Sequence, residues 1–381
     1  MMILSTSDWH LRGKDLEDSR RALAWIAQIA QQEQIDVLLH AGDFFNSPNV
    51  GDRDAPTGAI YAVANDWISQ MEDCNVKLFV IPGQHDFSGP GSADALHGLA
   101  LRGHNVSRRN CSLWLRAAPP SLFVTASPWC YDPRGFDAYW RDELVTTDTG
   151  RREHETPDEL AAHKTPSVFM AHVQAVGSRM AEGVACPARP GQWQIAQWRL
   201  DWIAAYVDRV VLGDFHRRQD LTNGKGGYVG ALRQLSFSDE NNPAGVELWD
   251  TETGEVRWIE NIGSPRYYTE IAHPDEQAIV QAKARAIARG SREGTDYFRI
   301  QFDGRPTDLM GRQLETEGVR VEAIVEREER HARVDLPEGV AARPRELIRL
   351  WADTQTPVWD GERVARAEEQ FDNLEGLANG G

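Results

Sequence analysis

Five short apolar runs in this sequence each end in side chains that can bind a metal ion or transfer a proton. Ligand sites of open α/β sheets form at the carboxyl ends of the strands, so five such ends would bring these groups to one crevice. A single Gly-Asp pair or a single histidine would carry little weight, whereas the ordered set indicates one site. Its members are Asp8, His10, Asp43, Gln84, His85, Asp86, His172, Asp214 and His216.

Mixed carboxylate, imidazole and amide ligands suit a pair of Mn²⁺, Fe²⁺ or Zn²⁺ ions better than a calcium site. Two ions roughly 3.5–4 Å apart need a carboxylate between them, and Asp43 is the candidate for that bridging position. The remaining ligands are predicted to form two sets. Asp8, His10 and His216 would complete the first ion, and Gln84, His172 and Asp214 would complete the second.

Residues beside these ligands are assigned other roles. His85 is placed to protonate a leaving oxygen or to stabilise the transition state of phosphoryl transfer, and Asp86 could orient its ring. A hydroxide activated by the metal pair would attack phosphorus in line. Arg217 and Arg218 directly follow His216, and two interpretations stay open for them: a clamp for phosphate or solvated loop charge. His40, inside an apolar run, is predicted to be a packed core histidine.

The elements that must position these residues alternate between strand and helix over the first two thirds of the chain. Amphipathic helices are predicted at about 16–33 and 57–72, and the alternation indicates an α/β domain with much of its sheet buried. Residues 226–262, including Tyr228–Gly230, alternate like strands and predict an antiparallel edge that closes the domain. The buried strands are predicted at 3–6, 37–40, 77–81, 167–170 and 209–212.

Pro265 opens a smaller predicted unit, and amphipathic helices follow it. The chain is accordingly divided into a catalytic domain at 1–262, a cap domain at 263–333 and a C-terminal helical segment at 334–381. The elements predicted beyond Pro265 are strands at 268–271, 297–302 and 320–326 and helices at 275–288, 308–317, 344–352 and 361–371.

The formal net charge of −17 argues at first sight against a nucleic-acid partner. Part of the acidic excess, however, lies in the predicted metal site, and residues 264–333 are nearly neutral, with 12 basic and 13 acidic side chains. Weak, salt-sensitive DNA binding by the isolated chain is therefore expected.

The sequence shows no apolar run of membrane-spanning length and no signal peptide, and its 4 cysteines form no C-x-x-C pair, which favours a reducing cytoplasm.

The motif order D-x-H, G-D, G-x-H-D, H and G-x-x-H resembles the calcineurin-like metallophosphoesterases. The surrounding sequence is similar to the SbcD nuclease subunit family, with its closest likeness in the recombination endonuclease subunit of tailed phages. That likeness is carried by the opening Ser7–His10, by the segment Ser238–Pro243 and by the closing strands around Tyr228–Gly230 and Gly245–Thr253.

The resemblance implies an α/β fold, with a metallophosphoesterase two-sheet sandwich flanked by helices, a small α/β cap that contacts DNA and a C-terminal helical segment. It implies a DNA exonuclease or endonuclease that uses two divalent metal ions, with Mn²⁺ preferred and Mg²⁺ or Fe²⁺ as alternatives. The helical segment would dock on an SMC-like coiled-coil ATPase of the SbcC type, and packing on its own domain is the alternative for that segment. The sequence has no G-x-x-x-x-G-K-[ST] loop, so any dependence on ATP would come from a partner. A homodimer through the helix at 57–72 is also implied, whereas core packing is the alternative for that helix.

The sequence departs from the family pattern twice, and both departures fall on the second metal. Gln84 stands where the family has Asn, and Asp214 stands where it has His. Two alternatives to a nuclease therefore stay open: a metallophosphoesterase acting on nucleotides or phosphoproteins, and a scaffold that binds DNA or a partner with a weakened second site.

Overall fold

The computed structural model describes residues 1–48, 54–87, 94–101, 104–109, 111–115, 121–129, 165–181, 184–188, 193–272, 276–288, 296–302 and 319–323. Residues 1–302 and 306–322 belong to one compact unit, and the second unit, 303–305 and 323–381, lies almost wholly outside the described residues. The helices predicted at 308–317, 344–352 and 361–371, and with them the proposed docking segment, lie outside the described residues. The domain boundaries stay predictions.

The first sheet has six strands, of which four run parallel and two close one edge antiparallel. The antiparallel edge confirms the turn-linked strand pair expected between residues 245 and 259. In sheet order the strands are β16 (Val256–Glu260), β15 (Gly245–Asp250), β1 (Met2–Thr6), β2 (Val37–Ala41), β3 (Lys77–Ile81) and β4 (Asn105–Val106).

The second sheet also has six strands, and it corrects one sequence expectation. Tyr228 belongs here, on a strand that runs parallel to its neighbour Arg209–Gly213, and not to the antiparallel edge of the first sheet. In sheet order the strands are β13 (Gln219–Asp220), β14 (Gly226–Tyr228), β12 (Arg209–Gly213), β7 (Ser167–His172), β6 (Leu122–Ser127) and β5 (Cys111–Leu115).

The two sheets pack face to face, as the resemblance implied. Val37 and Leu39 of β2 share one buried apolar cluster with Val168 and Met170 of β7, whereas Leu38 faces the other way, into the cluster formed with the helices. Both faces of these strands are therefore covered, which explains why they are continuously apolar instead of alternating.

Helices cover the outer faces of the sandwich. α1 (Leu16–Gln32) and α2 (Gly58–Asp73) lie on the first sheet, and α3 (Gln197–Tyr206) lies on the second. The apolar face of α2, including Trp67 and Met71, is buried in this chain's own core. This favours the core alternative for that helix, and the homodimer stays a prediction.

The smaller unit predicted after Pro265 begins with a parallel strand pair. β17 (Tyr267–Ala272) pairs with β18 (Tyr297–Phe302), α4 (Glu276–Ala288) buries its apolar face against them, and β19 (Val319–Ala323) completes the sheet. We call β17, α4 and β18 together the cap strands and helix, or the cap. Four further short strands are β8 (Gln174–Ala175), β9 (Arg179–Ala181), β10 (Val184–Ala185) and β11 (Gln194–Ile195). Within the described ranges, no helix is both long and apolar enough to span a membrane.

Candidate metal centre

The predicted ligands lie at the carboxyl ends of strands from both sheets. Asp8 and His10 follow β1, Asp43 follows β2, and a short 3₁₀ turn, Gln84–Asp86, follows β3. In the second sheet His172 ends β7, and Asp214 and His216 follow β12. Three overlapping groups have ligand atoms within 4.8 Å of one another: Asp8, His10 and His216; His10, Asp43 and His85; and Asp8, Asp43 and His172.

Asp43 lies between the two predicted halves of the site. Its Oδ2 atom is 3.5 Å from Nε2 of His10 and 3.4 Å from Nε2 of His172. Its other oxygen, Oδ1, accepts a hydrogen bond of 2.8 Å from the backbone N–H of His85. One carboxylate oxygen is thus shared by a histidine of each predicted set, which is the arrangement that a bridging ligand needs.

The first predicted set is braced by groups outside it. Nε2 of His216 lies 3.2 Å from Nε2 of His10, while its Nδ1 donates to Oδ1 of Asp239 at 2.9 Å. The carboxylate of Asp8 accepts hydrogen bonds from the Ser7 hydroxyl, at 2.5 Å, and from the backbone N–H of Asp214, at 3.1 Å. A histidine whose distal nitrogen is anchored presents its other nitrogen in a fixed direction.

The second predicted set relies on fewer contacts. Nδ1 of His172 donates to the backbone carbonyl of Ala41 at 2.8 Å, and its Nε2 lies 3.9 Å from Oδ1 of Asp214. Buried side-chain atoms without a hydrogen-bond partner within the described part of the chain occur in both sets: Nδ1 of His10 in the first, and Nε2 of His172 and Oδ2 of Asp214 in the second. Gln84 opens the 3₁₀ turn and is partly buried.

These unpartnered atoms fit divalent cations. A buried polar atom without a partner is costly, and an imidazole nitrogen beside carboxylate oxygens is a donor set that Mn²⁺, Fe²⁺ or Zn²⁺ accepts. Burial raises the pKa of Asp214 to about 7 and also raises that of Asp8, because their negative charges lack solvent. A cation would supply the positive charge that these buried carboxylates lack.

The histidines partly offset this negative charge. Burial alone would lower the pKa of His172, but the carboxylates of Asp43, Asp8 and Asp214 raise it to about 10. Burial would likewise lower the pKa of His216, and its hydrogen bond to Asp239 is the main cause that raises it to about 9. The carboxylates and these two histidines therefore shift one another's pKa, as expected of ionisable groups packed this closely.

The backbone at the site is strained in a way that the sequence did not reveal. Asp8, His10, Asp43 and Asp214 all have positive φ, at 52°, 45°, 57° and 110° respectively. Gly42, at φ 96°, makes this crowding possible, because a Cβ atom there would lie 2.3 Å from Nδ1 of His172. Strained conformations of this kind persist where the surrounding structure enforces them, and they cluster at functional sites.

His85 lies where the sequence placed it, but the role predicted for Asp86 is corrected. The His85 ring is oriented by the backbone carbonyl of Asn46, to which Nδ1 donates at 2.9 Å. The buried carboxylate of Asp86 instead accepts from the backbone N–H groups of Phe44, Phe45 and Gly83, at 3.2, 2.9 and 2.9 Å. Asp86 therefore ties together the two loops that carry Asp43 and His85.

The two arginines after His216 differ from each other. The Arg218 guanidinium lies 5.1 Å from the centre of the Trp258 ring and 3.4 Å from the Glu247 carboxylate, so it is engaged on the surface of β15 and β16. Arg217 makes no ion pair with a carboxylate of the described residues. Arg217 therefore keeps the phosphate-clamp interpretation, whereas the structure favours a structural role for Arg218.

His40 is the packed core histidine that the sequence predicted. It is fully buried against Trp9, with ring centres 4.6 Å apart, and burial lowers its pKa to about 3. Sequence reasoning assigned no role to Asp239, which anchors His216, or to Arg233, which donates to the backbone carbonyl of His10 at 3.2 Å. The S-x-x-D pattern at Ser236–Asp239, a capping box in the structure, was the available signal for Asp239.

The family model and the similar proteins agree with one another on the family that this chain resembles. Residues 1–218 match the family described as calcineurin-like phosphoesterase. The chain is 25% identical to exonuclease subunit 1 of enterobacteria phage T4 over 272 residues, 68% of each chain. It is 24% identical to the SbcD subunit of the nuclease SbcCD from Escherichia coli K12 over 376 residues, which covers 87% of this chain and 86% of that protein. A 95-residue stretch, 23% of each chain, is 32% identical to the DNA double-strand break repair protein Mre11 of Saccharolobus solfataricus.

Proposed function

This chain belongs to the calcineurin-like phosphoesterase family, and on that premise we propose that it is a divalent-metal-dependent DNA nuclease. Its relatives are named as an exonuclease subunit, a nuclease subunit and a DNA double-strand break repair protein, which supports DNA as the substrate. The reaction is hydrolysis of a phosphodiester bond.

The observation that carries the proposal is the position of Asp43. Its Oδ2 atom lies within 3.5 Å of a histidine nitrogen from each predicted set, at the meeting point of the two sheets. A cation held by Asp8, His10, Asp43 and His216, and a second held by Asp43, Gln84, His172 and Asp214, would supply charge neutralisation and an activated water molecule for phosphodiester hydrolysis.

In this proposal, side chains of the protein bind the substrate phosphate and donate a proton to the leaving oxygen. His85 donates through Nδ1 to Asn46, so its Nε2 is the nitrogen that can pass a proton to the leaving oxygen. The backbone N–H of His85 is bonded to Asp43, which fixes the distance between the proton donor and the predicted bridging ligand. Arg217 is the side chain that we assign to a non-bridging phosphate oxygen, because its guanidinium has no carboxylate partner among the described residues.

We propose Mn²⁺ as the preferred metal, with Mg²⁺ as the alternative. The carboxylate at Asp214 and the amide at Gln84 add oxygen ligands to the second site, and oxygen ligands favour Mg²⁺ and Mn²⁺ over softer ions. We further propose that the chain works as a subunit beside a coiled-coil ATPase; its relative from Escherichia coli is named as a subunit of the nuclease SbcCD. The segment 334–381 is the proposed docking element.

The test is hydrolysis by the full chain of linear duplex DNA, hairpin DNA and bis(p-nitrophenyl) phosphate. Each substrate is incubated with Mn²⁺, with Mg²⁺ or with a chelator, in the presence and absence of the cognate ATPase. We expect Mn²⁺-dependent cleavage of DNA that the chelator abolishes. Hydrolysis of the small ester with no cleavage of either DNA, under every condition, would replace the nuclease with a phosphoesterase of other specificity.

A further inference from the structure

The segment Arg233–Asp239 lies between the candidate metal centre and the cap strands. On the cap side, Tyr267 donates its backbone N–H to Oε1 of Gln234, at 2.8 Å, and its hydroxyl to the carbonyl of Leu235, at 3.1 Å. The Tyr267 ring also packs edge-on against Phe237, with ring centres 4.9 Å apart. The first cap strand is therefore attached to this segment at three points.

A second cap strand reinforces the same attachment. The Arg299 guanidinium lies 4.3 Å from the centre of the Phe237 ring, and the Tyr297 ring stacks on Tyr267 at 4.6 Å with an interplanar angle of 15°. Phe237 thus contacts both an aromatic ring and a cation that the cap strands supply. Aromatic pairs and cation–π contacts of this kind are attractive beyond the apolar area that they bury.

On the opposite side, the same segment holds two predicted ligands of the first ion. Arg233 is buried and donates to the backbone carbonyl of His10, and Asp239 accepts the Nδ1 proton of His216. The other oxygen of Asp239, Oδ2, accepts the backbone N–H of Leu235 at 3.0 Å. One carboxylate therefore connects the residue whose carbonyl receives the Tyr267 hydroxyl with the histidine of the metal site.

We infer that Phe237 and Asp239 form a positioning unit through which the cap sets the orientation of His216. The two side chains sit at the ends of one 3₁₀ turn, Phe237–Asp239, so a displacement of Phe237 shifts the Asp239 carboxylate with it. His216 belongs to the first set alone. The inference therefore assigns the cap an effect on the first cation site and none on the second. It rests on the proposed function only in that the site binds cations.

The experiment measures cation binding, so that it does not depend on catalysis. The full chain is titrated with Mn²⁺, and free Mn²⁺ is read by electron paramagnetic resonance. For Phe237→Ala and for Asp239→Asn we expect one class of site to weaken by about tenfold, the effect typical of losing an outer partner of a metal-bound histidine, while the other class is unchanged. Phe237→Tyr keeps the ring and should restore the affinity.

A double substitution distinguishes a connected unit from two separate effects. Because Phe237 acts through Asp239, the variant carrying both Phe237→Ala and Asp239→Asn should bind Mn²⁺ no more weakly than Asp239→Asn alone. Trp198→Ala is the matched control, since it truncates an exposed aromatic ring that also lies beside an arginine but on α3. Additive losses, equal weakening of both sites, or an effect of Phe237→Ala no larger than that of Trp198→Ala would overturn the inference.

DNA cleavage by the unaltered chain is followed in parallel. A chain that binds two Mn²⁺ ions without cleaving DNA contradicts the proposed function but leaves the positioning unit to be judged by the titration alone.

Discussion

The two halves of the candidate metal centre differ in the groups that form hydrogen bonds to their predicted ligands. In the first half, side chains brace the ligands: Asp239 anchors His216 and Arg233 holds the His10 backbone. In the second half, His172 is anchored by a backbone carbonyl instead, whereas a buried side-chain atom without a partner among the described residues occurs in each half, Nδ1 of His10 in the first and Oδ2 of Asp214 in the second. Asp214 also has the most extreme φ of the site, 110°.

The two halves also differ in how closely they follow the resembled family pattern. Gln84 and Asp214, the two positions that differ from the resembled pattern, both belong to the less braced half. A ligand held by many side-chain contacts cannot change type without disturbing those partners, whereas a ligand with few contacts can. We therefore expect the first site to be tight and similar across the family, and the second to be weaker and more variable.

The largest expected effect comes from the residue that both halves share. Asp43→Asn keeps the size of the side chain but removes the charge that faces His10 and His172. Losing several kcal/mol of cation-dependent stabilisation should reduce DNA hydrolysis by roughly 10³-fold or more and should weaken both Mn²⁺ sites. Initial rates and Mn²⁺ stoichiometry check this.

Asp36→Asn is the control for this substitution. Asp36 precedes β2, at the end opposite Asp43, and accepts the backbone N–H of Met2. The Asp36→Asn variant should hydrolyse DNA at the rate of the unaltered chain. If Asp43→Asn weakened only one of the two Mn²⁺ sites, Asp43 would not be the shared ligand.

The second prediction concerns a residue that belongs to neither half. His85→Ala removes the proton donor beside Asp43, so hydrolysis should fall by about 10²–10⁴-fold while both Mn²⁺ affinities stay unchanged. His97→Ala is the matched control, because His97 also lies in a 3₁₀ turn and its Nδ1 also faces a backbone carbonyl, that of Asp94, at 3.1 Å. Unchanged cleavage by His85→Ala would remove the catalytic assignment.

Much of this architecture could be predicted from the sequence because the residues at a strand's carboxyl end are adjacent in sequence to the apolar run that forms the strand. A continuously apolar run followed by Asp or His predicts both a doubly covered strand and the residue at its carboxyl end, and this gave Asp8, Asp43 and His172. Residues that contact a predicted ligand without being ligands themselves have no such pattern beside them in the sequence. Asp239 lies 23 positions beyond His216, and the pairing depends on how the two sheets meet.

The assignment of Asp86 was wrong for a related reason. Proximity in sequence suggested that Asp86 contacts its neighbour His85, but the tight turn directs the carboxylate toward the N–H groups of Phe44 and Phe45 in the preceding loop. The positive φ angles at the ligands were equally inaccessible, since most aspartates and histidines have negative φ and no local sequence pattern marks the exceptions.

The third prediction compares the two halves by stability. Mn²⁺ at a hundredfold excess over Kd should stabilise the fold by about 2.7 kcal/mol per site, because the cation binds only the folded arrangement of carboxylates. Removing a ligand from the braced half, His216→Ala, should abolish more of this gain than removing one from the other half, Gln84→Ala. Thermal unfolding with and without Mn²⁺ measures both. Equal losses would show that the bracing does not determine affinity.

The smallest expected effect is a gain. Restoring the resembled pattern with Gln84→Asn and Asp214→His shortens the amide ligand by one methylene and replaces a carboxylate with an imidazole. The second site should then bind Mn²⁺ more tightly by less than about tenfold and should accept Zn²⁺ more readily, because imidazole is the softer ligand. The gain is limited because position 214 keeps its φ of 110° and its N–H stays bonded to Asp8. A competition titration between Mn²⁺ and Zn²⁺ measures it, and a change confined to the first site would mean that residues 84 and 214 do not belong to the second.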